Sequence, residues 1–364
     1  MIYSRLFLLF LLILILSPFS DAQVESEEVL SGYNVTGISG DGTDVWVATY
    51  GGGIYRIDYK NKKFTSYSTQ NGNIPEDFFY CIAASKDYVW AGTSSGLLVL
   101  DREDGKWKKR KFSSGGDYGN WVKTLHFDEN RGLLWIGRFI NLSILDVKRQ
   151  KYSDYELTRG KDPRSNNINV IKPEGKDRIW IGTESGAFIY SYASGAFNPS
   201  ELEYINNQNR GFNGDGEFVS VSDFVFDNNF VWFGTQEFVS KEKPSFNLGG
   251  LYKFNKRASW ERIDRTKGLP GNGIYRMVKT GNYIWLGVYE FNKDNKEEYG
   301  RGFAIVDRVT GQVLKINYDE FFPGTNTIKS LFYDGNNLWM GTDKGLWRLR
   351  ISNDLAFWQK KKSK

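Results

Sequence analysis

The chain contains one cysteine, Cys81, and one histidine, His126, among 364 residues. A lone cysteine has no partner, so no intrachain disulfide framework supports the fold. Its context, Phe79-Tyr80-Cys81-Ile82-Ala83, is that of a buried, inert thiol. A lone histidine excludes a metal cage built from several histidines. With no nucleophile motif beside it, His126 reads as a structural or surface residue. The oxygen-rich stretches 41–44, 213–217 and 227–229 lack the spacing of an EF-hand loop and read as turns, so no metal and no cofactor are expected. Sustained helical periodicity is missing throughout, which excludes helical bundles and alternating α/β folds. Uncompensated charge is scarce too. Lys360, Lys361, Lys362 and Lys364 form a basic C-terminal tail that carries four of the five net positive charges. The body is nearly neutral and lacks the basic face that a nucleic-acid binder needs.

Only one long apolar run is present, the eleven residues 6–16, preceded by Arg5 and broken by Ser17-Pro18. It is too short to span a bilayer comfortably. With Ser20 and Ala22 as small residues at the cleavage positions, it reads as a secretory signal peptide over 1–22. Cleavage after Ala22, no membrane span thereafter, and a periplasmic or secreted location are expected.

What the chain has in abundance is a repeated phrase. VWVAT, VWAGT, LWIGR, IWIGT, VWFGT, IWLGV and LWMGT carry Trp46, Trp90, Trp135, Trp180, Trp232, Trp285 and Trp339, spaced 44 to 54 residues apart. Around each tryptophan, short apolar strands alternate with Gly, Asp and Asn turns, about four strands per repeat. Seven such units predict an all-β, seven-bladed β-propeller with four antiparallel strands per blade, over 23–353. The tryptophan strands are apolar on both faces and need cover on both sides, so the seven indoles are expected in the core between blades. The glycine two positions after the tryptophan is expected to admit that bulk from the next blade. Residues 354–364 would supply the last outer strand and the basic tail. Alternatively, 27–32 would close the last blade from the N-terminal side and remove an open edge.

The run Trp339-Met340-Gly341-Thr342-Asp343-Lys344-Gly345-Leu346, with Gly268-Leu269-Pro270 ahead of the sixth tryptophan, resembles the two-component regulator propeller repeat. The likeness covers about residues 31–350, with Arg138 and Val288 standing where threonine is usual. It implies a periplasmic sensor-type propeller, some of which recognise oligosaccharides. No kinase sequence follows the seventh repeat here, so a stand-alone form with an envelope or sensor partner is expected.

In a propeller, the loops leading into each innermost strand and the second hairpin of each blade open on one face. Two of those hairpin connections are long, 236–248 and 289–301, and so is the connection 206–216. Insertions that gather on one face mark a binding face. Candidate ligand-binding residues there are Arg138, Tyr118, Trp121, Arg164, Arg210, Phe212, Phe238, Tyr289 and Glu290, with Asn166, Asp215, Lys241, Lys243, Phe246, Phe291 and Tyr299 beside them. Aromatics mixed with Arg, Asn and Asp suit a glycan or a protein ligand, through stacking and bidentate hydrogen bonds. Arg138 is the outlier, a charge in place of threonine at a strand end. A non-enzymatic binding module is the leading expectation. A carboxylate-based polysaccharide hydrolase or lyase and an envelope scaffold are the alternatives, and no catalytic residue is assigned.

Overall fold

The structure is a computed structural model that describes residues 26–61, 63–209, 211–239, 247–314 and 325–351. The chain winds into seven antiparallel sheets, the first six running from the inside outwards in chain order. The innermost strands are Val35–Gly40, Cys81–Ala84, Val122–Asp128, Ile168–Glu174, Val221–Phe226, Gly273–Thr280 and Ile328–Tyr333. Each packs against the next, and the seventh packs against the first, so the ring is closed around a central channel. Six sheets have four strands. The sixth has three among the described residues, with a Val306–Val313 bridge starting a fourth position.

Closure uses the N-terminal strand. Ser26–Ser31 pairs antiparallel with Gly345–Arg350 and takes the outer place of the seventh sheet. That is the second of the two closures the sequence allows. The other segment, within 354–364, lies outside the described residues, as does the leader 1–22.

All seven tryptophans of the repeats are at most 2% exposed. Each joins a hydrophobic cluster with the following blade: Trp46 with Ile82 and Leu98, Trp135 with Ile171 and Phe188, Trp232 with Ile274 and Leu286. Trp339 closes the circle by packing with Val35 and Val47 of the first blade. At roughly 200 Å² apiece, each indole contributes on the order of 5 kcal/mol of transfer free energy. Four of them also satisfy their N–H from the turn just ahead. Trp46 donates to Asp41 at 3.0 Å, Trp180 to Glu174 at 2.8 Å, Trp285 to Thr280 at 2.8 Å and Trp339 to Asp334 at 2.8 Å.

The glycine after each tryptophan serves a different contact from the one expected. A Cβ on Gly182 would lie 2.9 Å from Val221, one on Gly137 2.5 Å from Ile168, and one on Gly341 2.4 Å from Val35. The glycine is therefore pressed from two sides, by the innermost strand of its own blade (Val170, Thr124 and Ser330) and by the first branched residue of the next innermost strand, not by the next tryptophan. Threonine at the end of the phrase closes the second hairpin. Thr49, Thr93, Thr183, Thr235 and Thr342 each donate to the carbonyl of a glycine across the turn, at 2.8–3.0 Å.

Candidate functional site at the loop-rich mouth of the channel

In six of the seven blades the innermost strand carries a bulge near its first residue. Thr36, Lys123, Asn169, Ser222, Tyr275 and Lys329 fall between paired positions. Tyr80 holds the same place in the second blade, its N–H donating to the Gly92 carbonyl. A bulge re-aims a side chain and ends regular pairing. One residue per blade is thereby set at the same level of the channel wall, where the channel meets the loop-rich face.

A second set surrounds the first. The residues following the repeated phrase are Tyr50, Ser94, Phe139, Glu184, Gln236, Tyr289 and Asp343. The N–H groups of Tyr50, Phe139, Glu184, Gln236 and Asp343 donate to carbonyls of Asn34, Trp121, Asn167, Ser220 and Thr327, stitching each second hairpin to the loop that leads into its own blade.

Where the two sets meet in the first three blades, they form a continuous aromatic arc. Phe78, Tyr50, Tyr80, Trp121, Phe139 and Tyr118 follow one another with ring centroids 4.9, 5.7, 5.3, 5.2 and 5.4 Å apart. The arc is open to solvent: Phe78 is 51%, Tyr50 45% and Tyr118 60% exposed. Beside it lies a polar cluster. Lys123 Nζ sits 5.6 Å from the Phe139 centroid and donates to Asn167 Oδ1 at 2.7 Å and Asn169 Oδ1 at 2.5 Å. Asn167 Nδ2 in turn donates to Glu184 at 2.7 Å. Burial lowers the Lys123 pKa to about 8, against a countering pull from Glu184. Stacking faces beside fixed donors and acceptors can hold a ring-shaped polar ligand by its apolar face and its hydroxyls.

The structure brings Tyr118 and Trp121, both expected at the site, into this arc. Arg138 goes elsewhere. It has no exposed surface and donates to the Ser114 and Gly119 carbonyls at 3.0 and 2.6 Å and to Ser114 Oγ at 2.8 Å. Asp154 lies 3.4 Å away, and the Phe112 ring is 4.5 Å beneath the guanidinium. It fixes the loop that presents Tyr118 and Trp121, in the place where threonine would have closed only a hairpin. Phe212 and Tyr289 are also internal, 0% and 1% exposed. Phe212 packs on Trp260 at 4.6 Å, and Tyr289 lies on Tyr275 at 4.3 Å. Glu290 is held by Arg265 and Arg301, each at 2.5 Å. Arg164 pairs with Asp162 at 2.7 Å and lies 3.8 Å over the Phe218 ring, while Phe238 approaches Phe218 at 5.6 Å. Arg164 borders an open cavity of about 800 Å³ with Arg159, Lys161 and Tyr204, at the rim rather than at the mouth. Arg210, Lys241, Lys243 and Phe246 lie outside the described residues. The insertion 289–301 is not an irregular loop but a projecting hairpin, Tyr283–Asn292 paired with Glu297–Asp307.

Tyr50, Phe78, Tyr80, Phe139, Lys123, Asn167 and Asn169 were not among the expected residues. One available signal was position: Tyr80 and Tyr275 stand ten residues before their tryptophans, where the first and fifth blades carry Thr36 and Ser222. At the opposite mouth, His126 and Lys172 line a cavity of about 700 Å³. Cys81 is buried, and burial pushes its thiol up to about 12, in keeping with an inert residue.

No protein-family profile matches the chain. A curated "Histidine kinase P4" of Formosa agariphila is 25% identical over 349 residues, covering 85% of this chain and 23% of the kinase. Among solved structures, the extracellular domain of the putative one component system BT4673 from B. thetaiotaomicron superposes with a TM-score of 0.65 at 18% identity, over 92% of this chain and 41% of that one. YCF48 bound to D1 peptide superposes with a TM-score of 0.61 at 9% identity, over 91% of this chain and 97% of that one. The chain thus spans about a quarter of the kinase and less than half of the extracellular domain it matches. What the solved structures share with this seven-bladed propeller is the fold.

Proposed function

We propose that this chain is an exported, non-enzymatic recognition module that holds an oligosaccharide across the loop-rich mouth of the channel. The observation that carries the reading is the solvent-open arc from Phe78 to Tyr118 beside the Lys123–Asn167–Asn169 cluster. Sugar rings present an apolar face to aromatics and hydroxyls to amides and ammonium groups, and the mouth offers both within one surface. The likeness to a histidine kinase and to a sensor's extracellular domain supports placing this recognition in signal reception, with an envelope or sensor protein as the onward partner. The export leader read at 1–22 supports a periplasmic or secreted address. Each stacked ring is worth about 0.5–1.5 kcal/mol, so a three-ring contact supplies about 1.5–4.5 kcal/mol, which reaches a millimolar dissociation constant at its upper end.

The test is calorimetric titration of the mature protein with a panel of oligosaccharides, repeated with Tyr50→Ala and Trp121→Ala. Saturable binding that weakens in both variants is the expected result. Binding of extended peptides in place of sugars would reassign the mouth to a protein partner, and breakdown of the bound sugar would make the chain a hydrolase or lyase.

A further inference from the structure

We infer that the neck of the channel, just below the mouth, is an anion-binding site that receives a carboxylate or sulfate-sized group. The neck is a cavity of about 160 Å³ whose wall includes Thr36, Thr124, Lys172, Asp223, Arg276 and Ser330. That is room for about five waters at ~30 Å³ each, or for one small anion with part of its hydration.

The cations around the neck differ in how they are compensated. Lys172 is fully engaged: its ammonium lies 2.6 Å from Asp223 and donates to the Phe224 and Met277 carbonyls at 3.1 and 3.2 Å. The other Asp223 oxygen accepts the Met277 N–H at 2.6 Å, so that pair is closed and neutral. Arg276 has no such partner. Its Nη1 donates to the Ser222 and Tyr275 carbonyls at 3.0 and 2.9 Å, and no carboxylate among the described residues lies within ion-pair distance. Lys123, in the mouth cluster above, is not among the cavity-lining residues; its ammonium is met by amide oxygens, with Glu184 reaching it through Asn167. Ser330, 5% exposed on the seventh blade, leaves its hydroxyl without a hydrogen-bond partner.

Among the described residues, Arg276, a half-buried cation without a counterion, and Ser330, a buried hydroxyl without a hydrogen-bond partner, therefore line one small polar space. Leaving such groups uncompensated is unfavourable in a protein interior, and an anion supplies acceptors to both. The positive charge of Arg276 is felt at Lys123, where it adds to burial in lowering the ammonium pKa.

The anion is either a free inorganic ion or the acidic group of an oligosaccharide seated at the mouth. The second case rests on the function proposed above; the first does not. Inorganic sulfate and acetate are titrated calorimetrically, at constant ionic strength, into the mature chain and into Arg276→Gln, which removes the charge and keeps a polar side chain. Unchanged thermal and urea unfolding of the variant shows that the fold is kept. Trigalacturonate and its carboxyl-reduced counterpart are titrated in parallel. Anion binding that weakens at least tenfold in Arg276→Gln is the expected result. A tenfold preference for the acidic sugar, lost in the variant, assigns the anion to the ligand's own carboxylate. Sulfate binding without that preference assigns it to a free ion. If neither anion binds and acidic and neutral sugars bind alike, the neck site is overturned while the mouth stands. If sulfate binds but no sugar does, the mouth reading falls and the neck site stands. Equal anion binding by Arg276→Gln overturns the assignment to Arg276.

Discussion

The Trp121 indole lies flat against the Phe139 ring, with centroids 5.2 Å apart and planes 4° from parallel. The two residues come from different loops of the third blade and are joined by the Phe139 N–H donating to the Trp121 carbonyl at 2.8 Å. The pair bridges the exposed Tyr118 on one side and Tyr80 on the other. Removing Trp121 therefore breaks the middle of the arc, whereas removing Tyr118 trims its end. Trp121→Ala should weaken oligosaccharide binding at least tenfold, about 1.4 kcal/mol or more, and Tyr118→Ala by a factor of a few. Because Tyr118 is 60% exposed, its removal should change unfolding free energy by no more than about 0.5 kcal/mol. Calorimetric affinities read with urea midpoints test both. Equal, unimpaired affinity in the two variants would show that the ligand does not use the arc.

Much of the ring could be read from the residues because packing imposes its period. Every tryptophan must be covered by the next blade, so the phrase around it cannot drift, and the count of seven follows. The mouth was harder to read. A bulge inserts one residue into a strand, so alternation no longer tells which side chain turns toward the channel. Lys123, Asn169 and Tyr275 sit at those inserted positions. Arg138 stood out because it broke the pattern, but an arginine in the place of threonine could face outward or inward. Only its contacts with Ser114 and Gly119 show that it supports a loop. Phe212 and Tyr289 were misread for a related reason: aromatics in long insertions bury themselves to anchor the insertion, and composition cannot tell an anchor from a platform.

Asp41 gathers five donors onto one buried carboxylate. It accepts the Trp46 indole N–H at 3.0 Å, the Thr43 and Asp44 backbone N–H groups at 2.9 and 2.7 Å, the Thr43 hydroxyl at 2.8 Å and the Arg102 guanidinium at 2.5 Å. Although burial opposes ionisation, these hydrogen bonds hold its pKa down to about 2. Asp41→Ala should cost about 2–4 kcal/mol, since it leaves the indole N–H and two backbone N–H groups without their acceptor and reduces Arg102 to its pairing with Asp44. Asp41→Asn should cost less, because it keeps one acceptor for the indole. Urea unfolding at neutral pH measures both. A cost below 0.5 kcal/mol for the alanine variant would contradict this role.

Ring closure depends on two contacts between chain ends. Val35 of the first blade presses on Gly341 of the last, where an added Cβ would also lie 2.0 Å from Ser330 Oγ. Ser26–Ser31 covers the otherwise open edge of Gly345–Arg350. Gly341→Ala should destabilise the fold by about 1–3 kcal/mol through overpacking. Deleting 26–31 should expose an unpaired strand edge and produce concentration-dependent association. Sedimentation velocity detects the second effect and thermal unfolding the first. A monomeric deletion variant of unchanged stability would show that the N-terminal strand does not hold the ring.

His126 gives the ring a pH dependence whose sign can be worked out. Burial, with an added push from Lys172 and against the pull of Asp128, lowers its pKa to about 4. In the unfolded chain an imidazole titrates near 6.5. Between those values the unfolded chain takes up a proton that the folded one refuses, so stability falls as pH drops from about 6.5 toward 4. Allowing for the partial access of the side chain to the cavity, the loss by pH 5 should be about 1–2 kcal/mol. Glu237 and Glu298 act oppositely in this window, because burial raises their carboxyls. The contribution of His126 is therefore the difference between wild type and His126→Gln, taken from urea midpoints at pH 7 and pH 5. The wild type should lose more stability than the variant on acidification. Parallel losses in the two proteins would show that the imidazole ionises freely in the folded ring, which its place in the channel wall does not allow.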